Sequence, residues 1–146
     1  VSELVERAKA LAERAHAGQV DKAGRPYIEH VARVAAAVAH YAEPEVEAVA
    51  WLHDVLEDCG PEHRNEVLCF PSETVADAAN LLTRYPHLTD SFYYSRIRRN
   101  PLALVVKLAD IADNADEARL ALLDHATANR LRRKYAKARQ ALTVKP

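Results

Sequence analysis

The apolar positions of this chain recur at helical rather than strand spacing almost from end to end. Leu4, Val5, Ala8, Leu11, Ala12 and Ala15 fall three or four residues apart behind Ser2, which can cap a helix, and Gly18 ends the run. A polar connector over residues 19–25 leads to Pro26, which suits the first turn of a second helix. That helix carries Val31, Val34, Ala35 and Val38 and reaches about Tyr41. Pro44 opens a third helix, predicted to continue through Asp58 and to be closed by Gly60-Pro61. Residues 62–70 fit either a short helix or a loop. Ser72, with Glu73 beside it, starts a helix through Leu82 that breaks near Pro86. Residues 89–99 read as helix, although their Tyr-rich middle also suits a loop. Pro101 begins a strong helix with Leu104, Leu108 and Ile111 on one stripe, and Thr127 is the expected cap of a last, basic helix through Leu142. Without a persuasive strand, a repeat or a low-complexity linker, the pattern predicts an all-α fold in one domain spanning residues 1–146.

Composition supports packed helices. Hydrophobic content is 49% and Ala-heavy, with three Gly and seven Pro in 146 residues. Lys+Arg 20 against Asp+Glu 21 leaves a net charge of −1, so no global basic field points to nucleic acid. Any phosphate recognition must come from a few local cations. The cluster Arg130, Arg132, Arg133, Lys134 and Lys137 reads as a solvated face favoured by the dipole of the helix that carries it. His40, His63, His87 and His125 read as surface residues. No apolar run approaches the ~18 residues of a membrane span, and residues 1–17 lack the pattern of a signal peptide. Cys59 and Cys69 form no CxxC pair. The cytoplasm is the expected compartment, and because the chain has no Met the native initiator is expected to be missing from it.

The densest chemistry lies in His53-Asp54-Val55-Leu56-Glu57-Asp58, one imidazole and three carboxylates in six residues. Val46, Val49, Ala50 and His53 follow helical spacing, so His53 and Glu57 are expected to continue an inward-facing stripe. A carboxylate on such a face is costly to desolvate without a cation or a proton. Asp54 and Asp58, four apart, repel by ~0.2–0.5 kcal/mol on an isolated helix. Both costs point to a divalent metal. His30, 23 positions before His53, and Asp110, placed by the pattern opposite Leu104, Leu108 and Ile111, can complete a site of two imidazoles and two carboxylates. Such an N2O2 set suits Mn, Fe or Zn better than Ca or Mg and leaves positions for water.

The order His…His-Asp…Asp resembles that of the HD superfamily of metal-dependent phosphohydrolases. More narrowly, His16-Ala-Gly-Gln19, Lys22-Ala-Gly-Arg-Pro-Tyr-Ile-Glu-His30, His53 to Asp58, Leu82-Thr-Arg84 and Val106-Lys-Leu-Ala-Asp110 resemble the RelA/SpoT-type hydrolase domain over residues 4–140. The resemblance implies a helical HD bundle of the small, hydrolase-only kind, without the synthetase and regulatory domains of long members. It makes His30, His53, Asp54 and Asp110 ligands of a metal, usually Mn2+, and Glu57 and Asp58 the catalytic acidic pair. Lys22 falls on a substrate-contacting loop, Asn114 on a nucleotide-contacting Asn, and Tyr135 where an aromatic often meets substrate. Lys107, Asp110 and Asn114 share a helical face, so Lys107 and Lys22 can grip phosphates while Asn114 orients sugar or base.

The implied reaction is removal of the 3′-pyrophosphate of guanosine tetra- or pentaphosphate, the alarmones of the stringent response, with a small nucleotide as the partner rather than nucleic acid or membrane. The alternatives are an HD phosphohydrolase acting on a nucleoside monophosphate or a phosphorylated dinucleotide, and a nucleotide sensor without turnover. Two departures bear on substrate. Asp21 stands where the family commonly has Arg and is expected to repel phosphate, with Arg25 and Arg84 as candidate replacements. Ile111, Asp113, Asn114, Ala115 and Asp116 occupy a stretch where the family carries two cations that are missing here.

Overall fold

Ten α-helices form among residues 2–144, the part of the chain that the computed structural model describes. The first is α1 (Glu3–Ala15), whose start is fixed by Ser2 Oγ accepting from the Leu4 amide at 3.2 Å. The connector after it is pinched by an isolated bridge between Val20 and Pro26. Gly24, at φ +83°, lets the chain turn back inside that connector. Next come α2 (Tyr27–Val38), a short 3-10 turn (Ala39–Tyr41), and α3 (Pro44–Leu52).

Helix α3 is the centre of the molecule. Val46, Ala48, Val49, Ala50, Trp51 and Leu52 are all buried, leaving it no solvent face over its second half. It packs against α1, α2, α6 (Glu73–Leu81) and α8 (Pro101–Asn114). Each fully buried Val or Leu contributes roughly 1.5–3 kcal/mol, and Val31, Val34, Val49 and Leu52 are such residues. They hold the helix ends that carry His30 and His53.

The predicted helix from Pro44 through Asp58 is broken. It stops at Leu52, and a separate turn, α4 (Val55–Asp58), follows. At the break His53 Nδ1 meets the Ala50 carbonyl at 2.6 Å and Asp54 adopts φ −109°, ψ −3°. The inward stripe therefore ends at His53, and Glu57, expected to extend it, is exposed. The side chain of Asp54 is turned toward the first turn of α2, where Tyr27 and His30 lie.

Residues 61–68 do form a helix, α5 (Pro61–Leu68), and the Tyr-rich segment forms α7 (Asp90–Arg98) behind the cap Thr89. In α8 the buried positions are Ala103, Val106, Asp110 and Ile111, whereas Leu104 and Leu108 are half-buried. Asp110 thus lies on the buried side and not opposite it, because α2, α3, α7 and the last helix enclose α8 from several directions. A short α9 (Glu117–Leu120), unforeseen in the sequence pattern, precedes α10 (His125–Thr143). The cap of α10 is Asp124, not Thr127: its carboxylate accepts from the Thr127 amide at 2.8 Å and from the Thr127 hydroxyl at 2.7 Å. His63, expected at the surface, is half-buried, while His40, His87 and His125 are exposed as expected. Cys59 and Cys69 are free thiols. No described helix is long and apolar enough to cross a membrane.

Candidate metal centre and its cavity

His30 leaves the first turn of α2, His53 and Asp54 sit at the break after α3, and Asp110 projects from the buried side of α8. One ligand atom from each lies within 4.8 Å of the others. His30 Nε2 is 3.0 Å from Asp110 Oδ1 and 3.7 Å from Asp54 Oδ2. His53 Nε2 is 3.0 Å from Asp54 Oδ2 and 3.3 Å from Asp110 Oδ1. His30, His53 and Asp110 are at most 5% exposed, and Asp54 borders an open cavity.

The partners of the two imidazoles decide what this cluster can hold. A carbonyl only accepts, so His53 Nδ1 carries the hydrogen it donates to Ala50 O. His30 Nδ1 likewise donates to Asp113 Oδ2, at 2.6 Å. Both Nε2 lone pairs consequently face the carboxylates of Asp54 and Asp110, and His53 Nε2 is buried without an aligned hydrogen-bond partner. Lone pairs aimed at carboxylates need a cation or a proton between them. Burial opposes the charged imidazole, yet Asp110 and Asp113 hold His30 above its ordinary pKa, and Asp54 and Asp110 hold His53 well above it. Burial would equally push Asp110 up, but the Lys107 charge and the two imidazoles keep it well below the usual carboxylate range. The donor set, two imidazole nitrogens and two carboxylates around one point, fits a divalent ion.

Asp113, read in the sequence only as part of a stretch lacking the family's cations, orients His30 and is itself clamped. Arg33 Nε donates to Asp113 Oδ1 at 2.8 Å and Arg119 Nη1 to Oδ2 at 2.7 Å. His30 and then Arg33 bring its pKa to about 2 against the opposing effect of burial. Asp113→Ala is expected to weaken divalent-metal affinity by roughly 10–100-fold, read by competition with a chelator. Unchanged affinity would mean that packing alone orients His30.

Tyr27 donates from its hydroxyl to Asp54 Oδ2 at 2.6 Å. Lys107 Nζ donates to Asp110 Oδ2 and Asn114 Nδ2 to Asp110 Oδ1, each at 3.0 Å. Lys107 and Asn114, read from the sequence as substrate contacts, thus bond the carboxylate of Asp110 while also lining the cavity.

That cavity, about 1100 Å³, is roomy enough for a nucleotide. Glu57 and Asp58 line it but stand outside the group of four. Glu57 Oε1 accepts from the Arg84 amide at 2.6 Å; although part of the residue stays exposed, desolvation of its carboxylate at the cavity wall and then the neighbouring Asp54 charge raise its pKa. Asp58 is raised to about 6, by burial first and then by Asp54 and Glu57. Gln19 Nε2 donates to the Asp58 carbonyl at 3.0 Å, and His16, fully buried, meets Gln19 Oε1 through Nδ1 at 2.8 Å. The His16-Ala-Gly-Gln19 stretch therefore braces the acidic turn from behind.

Lys22 and Tyr135 also line the cavity, as does Tyr94, whereas its neighbour Tyr93 is buried and donates to the Leu82 carbonyl. Asp21 has a role that its sequence context hides. Its Oδ1 accepts from the amides of Ala23 and Arg25, each at 2.9 Å, and its Oδ2 from Arg119 Nη2 at 3.3 Å. The expected repulsion of phosphate is offset by Arg119. The candidate replacements are otherwise engaged, Arg25 with Glu29 and Arg84 with Asp90.

No family model matches the chain, and no curated protein does. Among solved structures it is similar to a metazoan ortholog of SpoT described as hydrolysing ppGpp and playing a role in starvation responses. The TM-score is 0.77 at 22% identity, covering 98% of this chain and 87% of that one. The two chains share a fold, as the HD-type resemblance implied.

Proposed function

We propose that the chain is a Mn2+-dependent pyrophosphohydrolase that removes the 3′-pyrophosphate of guanosine tetra- or pentaphosphate. The observation that carries this reading is the convergence of two Nε2 lone pairs with Asp54 and Asp110 at the wall of a nucleotide-sized cavity. The fold shared with a protein described as hydrolysing ppGpp supports the substrate. His30, His53, Asp54 and Asp110 would hold the ion, with Fe or Zn as chemically acceptable substitutes.

A divalent ion held there supplies charge for phosphoryl oxygens and acidifies water. The chain's own residues do the rest. Lys107, half-buried beside Asp110, adds positive charge where the transferred phosphoryl group would sit. Glu57 and Asp58, both raised from their ordinary values, are suited to take a proton from attacking water and return it to the leaving oxygen. Lys22, Asn114 and Tyr135 border the space for the remaining phosphates, sugar and base.

A second reading, hydrolysis of another nucleotide, is favoured by one observation. Asp21 occupies the place of an expected cation, and its compensating Arg119 is already bound to two carboxylates. Mn2+-loaded protein assayed against guanosine tetraphosphate, its adenosine counterpart and simple mononucleotides separates the readings. Pyrophosphate release from the guanosine compound is the expected result. Phosphate release from a mononucleotide, with the tetraphosphate untouched, would replace the first reading by the second.

A further inference from the structure

Arg119, on the short α9, has no part in the proposed reaction, yet its guanidinium joins two regions of the site. Its Nη1 donates to Asp113 Oδ2 at 2.7 Å, to the Asp113 carbonyl at 3.2 Å and to Asn114 Oδ1 at 3.3 Å. Its Nη2 donates to Asp21 Oδ2 at 3.3 Å. Asp113 orients His30, and Asn114 Nδ2 donates to Asp110, so one nitrogen of Arg119 stands behind two of the residues grouped around the ion site. The other nitrogen holds the connector before α2. There Asp21 is the organising residue: its Oδ1 accepts from the Ala23 and Arg25 amides, and its backbone bonds Gly24 and Arg25. Asp21, Lys22, Ala23 and Arg25 form one wall of the cavity.

We propose that Arg119 is a positioning residue that couples the connector before α2 to the metal cluster, so that an ordered connector and a bound ion stabilise one another. The proposal rests on the reading that His30, His53, Asp54 and Asp110 hold a divalent ion.

The bridge needs a fork. Asp113 and Asp21 are met by different nitrogens of one planar group, a span that the single nitrogen of a lysine does not offer. The two carboxylate side chains are only 14% and 10% exposed, so water replaces the guanidinium poorly. Leu120, next to Arg119, is buried against Ala128 and Leu131, which fixes α9 and with it the base of the arginine. Arg33 also grips Asp113, but among the described residues it bonds neither Asn114 nor the connector. A molecule that settles the connector from the cavity side therefore also settles His30 and Asp110, and by linkage the ion settles the connector.

The sign of the effect separates positioning from charge. Arg119 adds positive charge behind a site for a dication, so by charge alone Arg119→Ala would tighten Mn2+ binding. Positioning predicts the reverse: Mn2+ affinity, read by competition with a chelator, should fall about tenfold, the lower end for a residue behind a metal ligand. Because coupling is reciprocal, Mn2+ should slow hydrogen exchange over residues 21–25 of the wild-type chain by a similar factor relative to chelator. Arg119→Lys, which keeps the charge, should still bind Mn2+ but abolish that slowing. Arg132→Ala, which removes the ion pair tying α10 to Glu117 of α9, should alter neither reading. Unchanged or tighter Mn2+ binding in Arg119→Ala would overturn the proposal. So would slowing that persists in Arg119→Lys, which would assign the coupling to Tyr27, where the connector's far end meets Asp54. A wild-type chain that binds no Mn2+ removes the metal reading and the coupling together. Exchange is read without substrate, so an inactive chain whose connector responds to Mn2+ through Arg119 refutes the proposed reaction alone. An active one whose connector ignores Mn2+ refutes the coupling alone.

Discussion

Glu57→Gln combined with Asp58→Asn is expected to lower turnover by ~10²–10⁴-fold, the usual worth of general acid–base groups, while divalent metal stays bound. Neither carboxylate belongs to the group whose ligand atoms lie within 4.8 Å of one another, so the ion keeps its donors. Both face the cavity, where attacking water and leaving group must exchange a proton. The pH profile adds a second reading. Asp58 is raised to about 6 by burial and by the charges of Asp54 and Glu57, so it is ionised above that pH and protonated below it. If its ionised form is the base, wild-type activity falls as pH drops through a midpoint at or below about 6. A divalent ion beside Asp54 lowers the midpoint, because it offsets the second of those causes. Asp58→Asn alone should abolish this acid limb. Near-normal turnover in the double variant would assign the proton to another group, and loss of the metal would make one of the pair a ligand.

Asp110→Ala is expected to remove metal binding and also to destabilise the metal-free fold by about 3–5 kcal/mol, the usual cost of breaking a buried charge pair. For a chain of this size that is about 10 °C or more in Tm. Removing a carboxylate from an acidic cluster relieves its repulsion with Asp54, which acts in the opposite direction. The local balance nonetheless favours loss. Asp110 accepts from Lys107 and Asn114 and faces His30 and His53, so the substitution strands one ammonium and two imidazoles that its charge helps keep protonated. Lys107 cannot simply swing free, since its side chain is only 21% exposed. Thermal denaturation in chelator measures the fold, and titration with Mn2+ measures the site. An unchanged Tm in chelator would show that the carboxylate serves the ion alone.

Much of this molecule is legible in one dimension because helices are local objects. Periodic apolar residues, with Ser2 and Ser72 as caps and Pro44 and Pro101 in first turns, locate helices that the fold contains, since each signal acts within a few residues of itself. The types and order of His30, His53, Asp54 and Asp110 were likewise enough to single them out, because two imidazoles and two carboxylates among apolar helices have few purposes other than a cation. What the linear order left undecided depends on contacts between distant segments. Only packing shows that the predicted third helix breaks at His53, where the Ala50 carbonyl captures Nδ1 and leaves Nε2 for the site. Asp113 meets His30 from 83 residues away, and Arg119 reaches Asp21 from 98. No spacing rule encodes such pairs, since they form when α2, α8 and the connector before α2 are brought together around the buried α3. The sequence by itself therefore determined which groups are available; the tertiary structure decided which lone pairs face one another and which carboxylates each cation holds, because both depend on the neighbours that burial imposes.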